Sequence, residues 1–232
     1  MKPLTFALRS WSAAAPGAMT GQDGPGPFAS RFRPACRLRP LAARRLSAGA
    51  RLAVECALAA AGGSAPGFAV FASRSAELPR CEKILSCLAG DEDPSPTDFM
   101  MSVHNAAAGF FSIEAHCRVP HSSVAAGEET FSAALFEAAA ALGTGAGSVL
   151  AVFYENDPPP VLGRCFLTSP PPGPWAVALM LSPGGELCAE PSAAAWAAAA
   201  QEPALQLLSG LASGVQGFEV REPRRLWRWS RT

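Results

Sequence analysis

The chain has 232 residues, 49% hydrophobic and 16% charged, enough apolar surface for one sizeable core and too little charge for wholesale disorder. Nineteen Lys and Arg balance nineteen Asp and Glu, which removes a general electrostatic reason to expect nucleic acid or an anionic membrane as partner. The seven cysteines at 36, 56, 81, 87, 117, 165 and 188 form no Cys-x-x-Cys pair; most sit in apolar stretches and read as reduced core thiols.

At the start, Arg9 interrupts the run Met1 to Leu8 before it reaches the roughly 7–15 apolar residues of a signal-peptide core. No apolar segment approaches the ~20 residues of a spanning helix, and the alanine run Ala193 to Ala200 is too short and too weakly hydrophobic. These features lead us to expect a cytoplasmic protein with no membrane span. The whole chain, 1–232, is read as one domain.

Residues 12–40 are rich in Ala, Gly, Pro and Arg around Gly24-Pro25-Gly26-Pro27 and are expected to be mostly loop, with order beginning after them. From Leu46, apolar Ala50, Val54, Ala57, Leu58 and Ala61 follow a helical period, with Ser47 as N-cap and Gly62-Gly63 as stop. Phe68 to Ala72 reads as a strand buried on both faces of a parallel sheet. A helix at Leu78 to Ala89, a loop at Asp91 to Thr97 whose Ser95-Pro96-Thr97-Asp98 end suits helix entry, and a helix over Phe99 to Ile113 follow.

Ser122 to Ala126 is β-compatible, and Glu128 to Leu142 is a strong helical pattern with Phe131, Leu135 and Ala138 to Leu142 on its buried face. Ser148 to Tyr154 and Trp175 to Leu181 read as neighbouring strands, separated by a loop with prolines at 158–160 and 170–172. Helices at Ala193 to Gln201 and Ala204 to Leu211 and an edge strand at Gly217 to Arg221 complete the reading. Strands alternating with helices imply an α/β fold, a mostly parallel sheet with helices on both faces in αβα layers.

Several segments invite chemistry. Gly143 to Ser148 is glycine-rich, but it follows a helix and precedes a strand, the reverse of a phosphate-binding loop, so it reads as a plain turn. His104, His116, Cys117 and His121 lie close in sequence yet match no paired-ligand spacing; no metal and no cofactor are expected. Residues 222–232, with Arg221 just before them, form a basic aromatic tail, in which Arg224, Arg225, Arg228 and Arg231 surround Trp227 and Trp229. It reads either as a grip for an acidic partner or as a solvated terminus whose tryptophans fold back.

The most informative stretch is Val119 to Thr130, a strand, a sharp turn at Gly127 and a helix. In acyl-transfer enzymes such a turn exposes a nucleophile at a helix N-terminus, where backbone N–H groups favour a thiolate or oxyanion. Here the position carries Glu128. Spacing alone reads that carboxylate first as an ordinary helix-start charge, worth about 0.3–1 kcal/mol.

Arg44-Arg45-Leu46-Ser47, Val70 to Arg74, Ser102 to Gly109 and Ala125 to Phe131, in that order and spacing, resemble the β-ketoacyl synthase N-terminal domain of the thiolase-like superfamily. The likeness is to chain-length-factor-like proteins of polyene-type gene clusters and runs over about residues 44–181. It implies a thiolase-like half-fold. It also implies that Glu128 stands where a synthase keeps its nucleophilic cysteine and a chain length factor keeps glutamine; a carboxylate there is a poor acyl acceptor, because a mixed anhydride is unstable in water. The catalytic histidines of such synthases belong to a C-terminal half-domain, and none of His104, His116 and His121 matches them.

The resemblance implies a non-catalytic accessory subunit of a full-length ketosynthase in fatty-acid, aryl-polyene or polyketide-like biosynthesis, meeting acyl carrier protein only indirectly. The strand segment Ser122, Ser123, Val124, Ala125 and Ala126 would face the partner, and Phe131, Leu135 and Phe136 would approach its acyl tunnel. Two alternatives stay open: an enzyme using Glu128 or Glu129 as general base, and a stand-alone scaffolding protein.

Overall fold

A computed structural model describes residues 2–15, 28–160, 173–194, 197, 199 and 201–232. Its centre is one seven-stranded mixed sheet in the order β3-β2-β4-β5-β7-β6, with β1 on the other side of β5. The strands are β1 (Leu4–Ala14), β2 (Phe68–Ala72), β3 (His121–Val124), β4 (Val149–Glu155), β5 (Trp175–Ala193), β6 (Gly217–Glu222) and β7 (Arg225–Arg231). The helices are α1 (Pro40–Ala43), α2 (Ala48–Ala61), α3 (Leu78–Ala89), α4 (Pro96–Met100), α5 (Ala106–Glu114), α6 (Thr130–Gly143) and α7 (Pro203–Ser213).

Alternate residues of each buried strand serve opposite faces, which produces three layers. On one face Val70 of β2, Val149 and Phe153 of β4 and Val177 and Leu179 of β5 pack beneath α6 and α7. On the other, Ala69 and Phe71 of β2, Leu150 and Val152 of β4 and Ala176 and Ala178 of β5 meet α2 and α5. Small side chains let α2 lie close to the sheet: Ala50, Ala53, Cys56 and Ala57 are fully buried. A Cβ placed on Gly49 would come 2.4 Å from the Glu155 carbonyl oxygen. Ser47 caps α2 by accepting from the Ala50 amide, and Gly62 ends it with φ +58°.

The parallel pairing expected from the sequence is found in β3-β2-β4. It is corrected for the other half, where β4–β5, β1–β5, β5–β7 and β6–β7 are all antiparallel. The expectation that order begins after residue 40 is corrected by β1, whose Phe6, Leu8 and Trp11 are core residues. The strand is buried on both faces through its middle, so it shows no alternation. The tail expected at 222–232 is instead β7, inserted between β5 and β6, with Trp227 and Trp229 buried.

The single helix expected over Phe99 to Ile113 is two, α4 and α5, broken where His104 Nε2 donates to the Ser73 carbonyl at 2.9 Å. β5 runs well past Leu181, because its second part pairs with β7. Among the described cysteines, only Cys56 is a core thiol; Cys36 is exposed, and Cys81, Cys87, Cys117 and Cys188 are partly exposed and free. Cys165 and the prolines at 170–172 lie outside the described residues, as do 195, 196, 198 and 200 of the helix expected at 193–201; that expectation is corrected at the described positions, where Ala193 ends β5 and 194, 197, 199 and 201 are not helical.

Candidate functional site

Parallel strands end together, so the residues that follow β2, β3 and β4 are delivered to one corner of the sheet. Arg74 follows β2, Glu155 closes β4, and the chain leaving β3 turns at Gly127, with φ +57°, into a short 3-10 turn over Gly127–Glu129 that carries Glu128. The strand segment is His121–Val124, with Ala125 and Ala126 beyond it, and the regular helix begins only at Thr130. Glu128 therefore precedes α6 rather than opening it. Thr130 fixes the corner: its hydroxyl donates to the Gly127 carbonyl at 2.7 Å and accepts from the Ala126 amide at 3.0 Å.

Arg74 is the hub. Its guanidinium lies 3.0 Å from Glu128, 3.9 Å from Glu155 and in direct contact with Glu202, at the start of α7. The Arg74, Glu155 and Glu202 side chains are almost wholly buried, and Glu128 is 16% exposed. Glu155 also accepts from the Ser73 hydroxyl and from the amides of Arg74 and Ser75. Burial pushes Glu202 up from 4.5 to about 7; Arg74 pulls the other way, and Glu155 and Glu128 add to the rise.

The corner encloses a cavity of about 30 Å³ lined by Ala72, Arg74, Glu128, Phe131, Phe153 and Glu202 among others. Among the described residues this is small beside the roughly 300–1,000 Å³ of ordinary ligand pockets. Of the three residues expected near a tunnel, only Phe131 reaches it. Leu135 is in the core, and Phe136 lies against Trp227 and the Arg225 guanidinium.

Of the residues singled out in sequence, Glu128 stands at the strand-to-helix corner and Glu129 is ion-paired with Arg225 at 3.4 Å. The histidines are not gathered: His104 bonds Ser73, while His116 occupies an exposed turn with φ +50° and His121 opens β3. Among the described residues no group of three or more His, Cys, Asp or Glu is placed to hold a metal, and no helix is long and apolar enough to cross a membrane. Sequence reasoning missed the role of Arg74, Glu155 and Glu202. The first two were accessible from strand order, since each follows or ends a strand of the parallel run.

β3 is the edge of the sheet, with β2 as its one strand partner among the described residues. Ala69 and Ser73 donate to the carbonyls of Pro120 and Val124. By the alternation of a parallel ladder, Ser122 shares that side, while His121 and Ser123 turn their backbone groups to the open edge.

The sheet order, the corner after β3 and the helix behind it define a ketosynthase-type half-fold, and residues 11–230 match the model of the β-ketoacyl synthase N-terminal domain family. The chain belongs to that family. It resembles a chain in the structure of a ketosynthase in complex with its chain length factor from Xenorhabdus doucetiae, with 34% identity and a TM-score of 0.87, covering 98% of this chain and 100% of that one. The ishigamide ketosynthase/chain length factor is similar in fold at 15% identity and a TM-score of 0.60, over 83% of this chain and 68% of that one. A β-ketoacyl synthase from Burkholderia phymatum has 15% identity and a TM-score of 0.53, over 87% of this chain and 58% of that one. No match was found among curated proteins.

Proposed function

We propose that this chain is a chain-length-factor-like subunit that performs no condensation itself and works with a full-length ketosynthase in fatty-acid, aryl-polyene or polyketide-like biosynthesis in the cytoplasm. The observation that supports the reading is the corner: Glu128, which the family resemblance aligns with a synthase's nucleophile, is paired directly with Arg74 beside a cavity of about 30 Å³. A general base working at neutral pH needs a carboxylate with access to substrate; Glu128 and Glu129 are each engaged by an arginine instead.

A ketosynthase partner is supported by the 34% identical chain from a ketosynthase and chain length factor complex. It is supported too by the open edge of β3, since an edge strand presents unsatisfied backbone groups to another chain. Large apolar side chains at Leu85, Leu88, Phe99, Met100, Val103 and Ile113 stand exposed on the segment between β2 and β3, and α3 has no buried residue at all; surfaces of this kind mark protein contacts. Acyl carrier protein would then meet the complex through the ketosynthase.

Co-expression with a full-length ketosynthase tests this reading. The two are expected to purify as a complex, and Ser123→Pro, which removes an outward N–H while sparing the ladder to β2, should abolish the complex with the fold intact by circular dichroism. Glu128→Ala should shift product length and leave condensation within about threefold. A ketosynthase that gives the same products at the same rate without this chain would sink the proposal, and loss of all condensation by Glu128→Ala in an intact complex would favour the enzymatic alternative.

A further inference from the structure

We propose that the groove between α1 and α5 binds one long-chain carboxylate, whose hydrocarbon chain lies on the apolar lining and whose headgroup meets Arg45. The groove lies outside the Arg74 corner, and the inference does not depend on the functional reading.

The groove measures about 570 Å³, inside the roughly 300–1,000 Å³ range of small-molecule sites. α1 contributes Pro40, Leu41 and Ala42 to its lining, and α5 contributes Phe110 and Ile113. Leu41 is 78% exposed and Ile113 62%, so a hydrocarbon chain laid against them withdraws apolar surface of both partners from water. Eight residues line the groove, far fewer than the roughly 20–30 on each side of a stable protein interface. Its size therefore matches a free amphiphile better than a folded partner.

Charge decides which amphiphile. The charged residues of the lining are Arg39, Arg45 and Glu114. Arg39 and Glu114 pair at 3.1 Å and offset each other. Arg45 is exposed, and its backbone carbonyl accepts from Arg80 Nη2 at 2.6 Å. Its guanidinium has no hydrogen bond or ion pair with the described residues, which leaves the groove one uncompensated positive charge.

The surrounding sequence adds to that field, since Arg31 to Val54 contains seven arginines and neither Asp nor Glu. An apolar lining beside a single free cation fits the inverse pattern in a ligand, a hydrocarbon chain ending in one anion. A carboxylate suits Arg45 in particular, because a guanidinium offers it two parallel N–H donors. A cationic amphiphile of the same length is repelled, and a neutral alcohol keeps the chain contact but loses the charged bond.

Isothermal titration calorimetry of the full-length chain with dodecanoate, kept below micelle formation, tests the site. One dodecanoate should bind per chain, and dodecanol and dodecyltrimethylammonium should bind at least tenfold more weakly. Arg45→Ala should weaken dodecanoate at least tenfold, to the level of dodecanol, and Leu41→Asp should abolish binding, both with the fold intact by circular dichroism. Methyl NMR locates the ligand: the Leu41 and Ile113 signals should move and those of Leu135, in the core, should not. Should a variant not fold, the amphiphile series and the NMR shifts of the wild type decide. Absence of saturable binding, equal affinity for the three amphiphiles, undiminished binding by Arg45→Ala, or shifts that bypass Leu41 and Ile113 overturns the proposal. Binding to phosphatidylglycerol vesicles without binding of free dodecanoate overturns it as well, in favour of a membrane surface. These measurements use the chain without a ketosynthase, so their failure leaves the subunit reading standing.

Discussion

Where β3, β2 and β4 run parallel, the strand ends gather charge; where β1, β5, β7 and β6 run antiparallel, the sheet is closed with tryptophan. Each half contains a glutamate whose affinity for a proton is raised by burial. In the antiparallel half, Glu222 is sealed in and met by the Ser132 amide at 3.0 Å, the Ser132 hydroxyl and Trp227 Nε1 at 3.1 Å. Those donors belong to α6 and β7, so the carboxylate pins a helix to the sheet. At the parallel strand ends, Glu202 contacts Arg74, which also pairs with Glu128 and Glu155. Glu222 is met by neutral donors, whereas Glu202 is met by a guanidinium.

This contrast breaks if the tryptophan side proves dispensable. Trp227→Ala empties a fully buried site and removes a donor from Glu222, so it should cost about 3–5 kcal/mol in urea denaturation, with little change between pH 5 and 8.

Glu202 should contribute the opposite behaviour. Its folded value of about 7 stands above 4.5, so its contribution is complete below pH 4.5 and is lost as pH rises to about 7, by about 3 kcal/mol. Urea titrations of Glu202→Gln against wild type across that window should show a flatter profile in the variant; identical slopes would remove the distinction between the halves.

Gly49→Ala sharpens the comparison from the other face. Its methyl would collide with the Glu155 carbonyl, and the expected loss is about 1–3 kcal/mol, with greater hydrogen exchange in α2 and at the end of β4. Arg228→Ala sets the floor: its 3.5 Å pair with Glu219 is exposed on both sides, and thermal unfolding should detect less than about 1 kcal/mol.

How much of this was legible depends on what each segment packs against. α2 and α3 were readable to within a residue or two because capping and stop residues, Ser47 and Gly62 among them, act locally. β2 and β4 were readable as continuous apolar runs. β1 was not, because burial on both faces removes the alternation and Arg9, which broke the apolar run, is accommodated by a 2.7 Å bond to Ser182 across the sheet.

β7 did carry a signal. Trp227, Trp229 and Arg231 alternate with Arg228 and Ser230 in burial, but charge made the pattern look like a tail. The corner was half visible: Glu128 came from the turn motif, whereas its arginine required knowing that β2 ends beside β3. Glu202 carries no local sign of its role, because its partners are 47 to 128 positions away.

The pairing of β1 with β5 has a consequence in time. Residues 4–14 find their strand partners at 176–189, so during synthesis the first hydrophobic strand stays unmated until most of the chain has been made. Contacts of such separation slow folding and leave an apolar edge open to wrong partners. Pulse-labelled exchange should show the β1 amides gaining protection together with those of β5, after α2 and β2, and for that interval the newborn chain depends on chaperones or on speed.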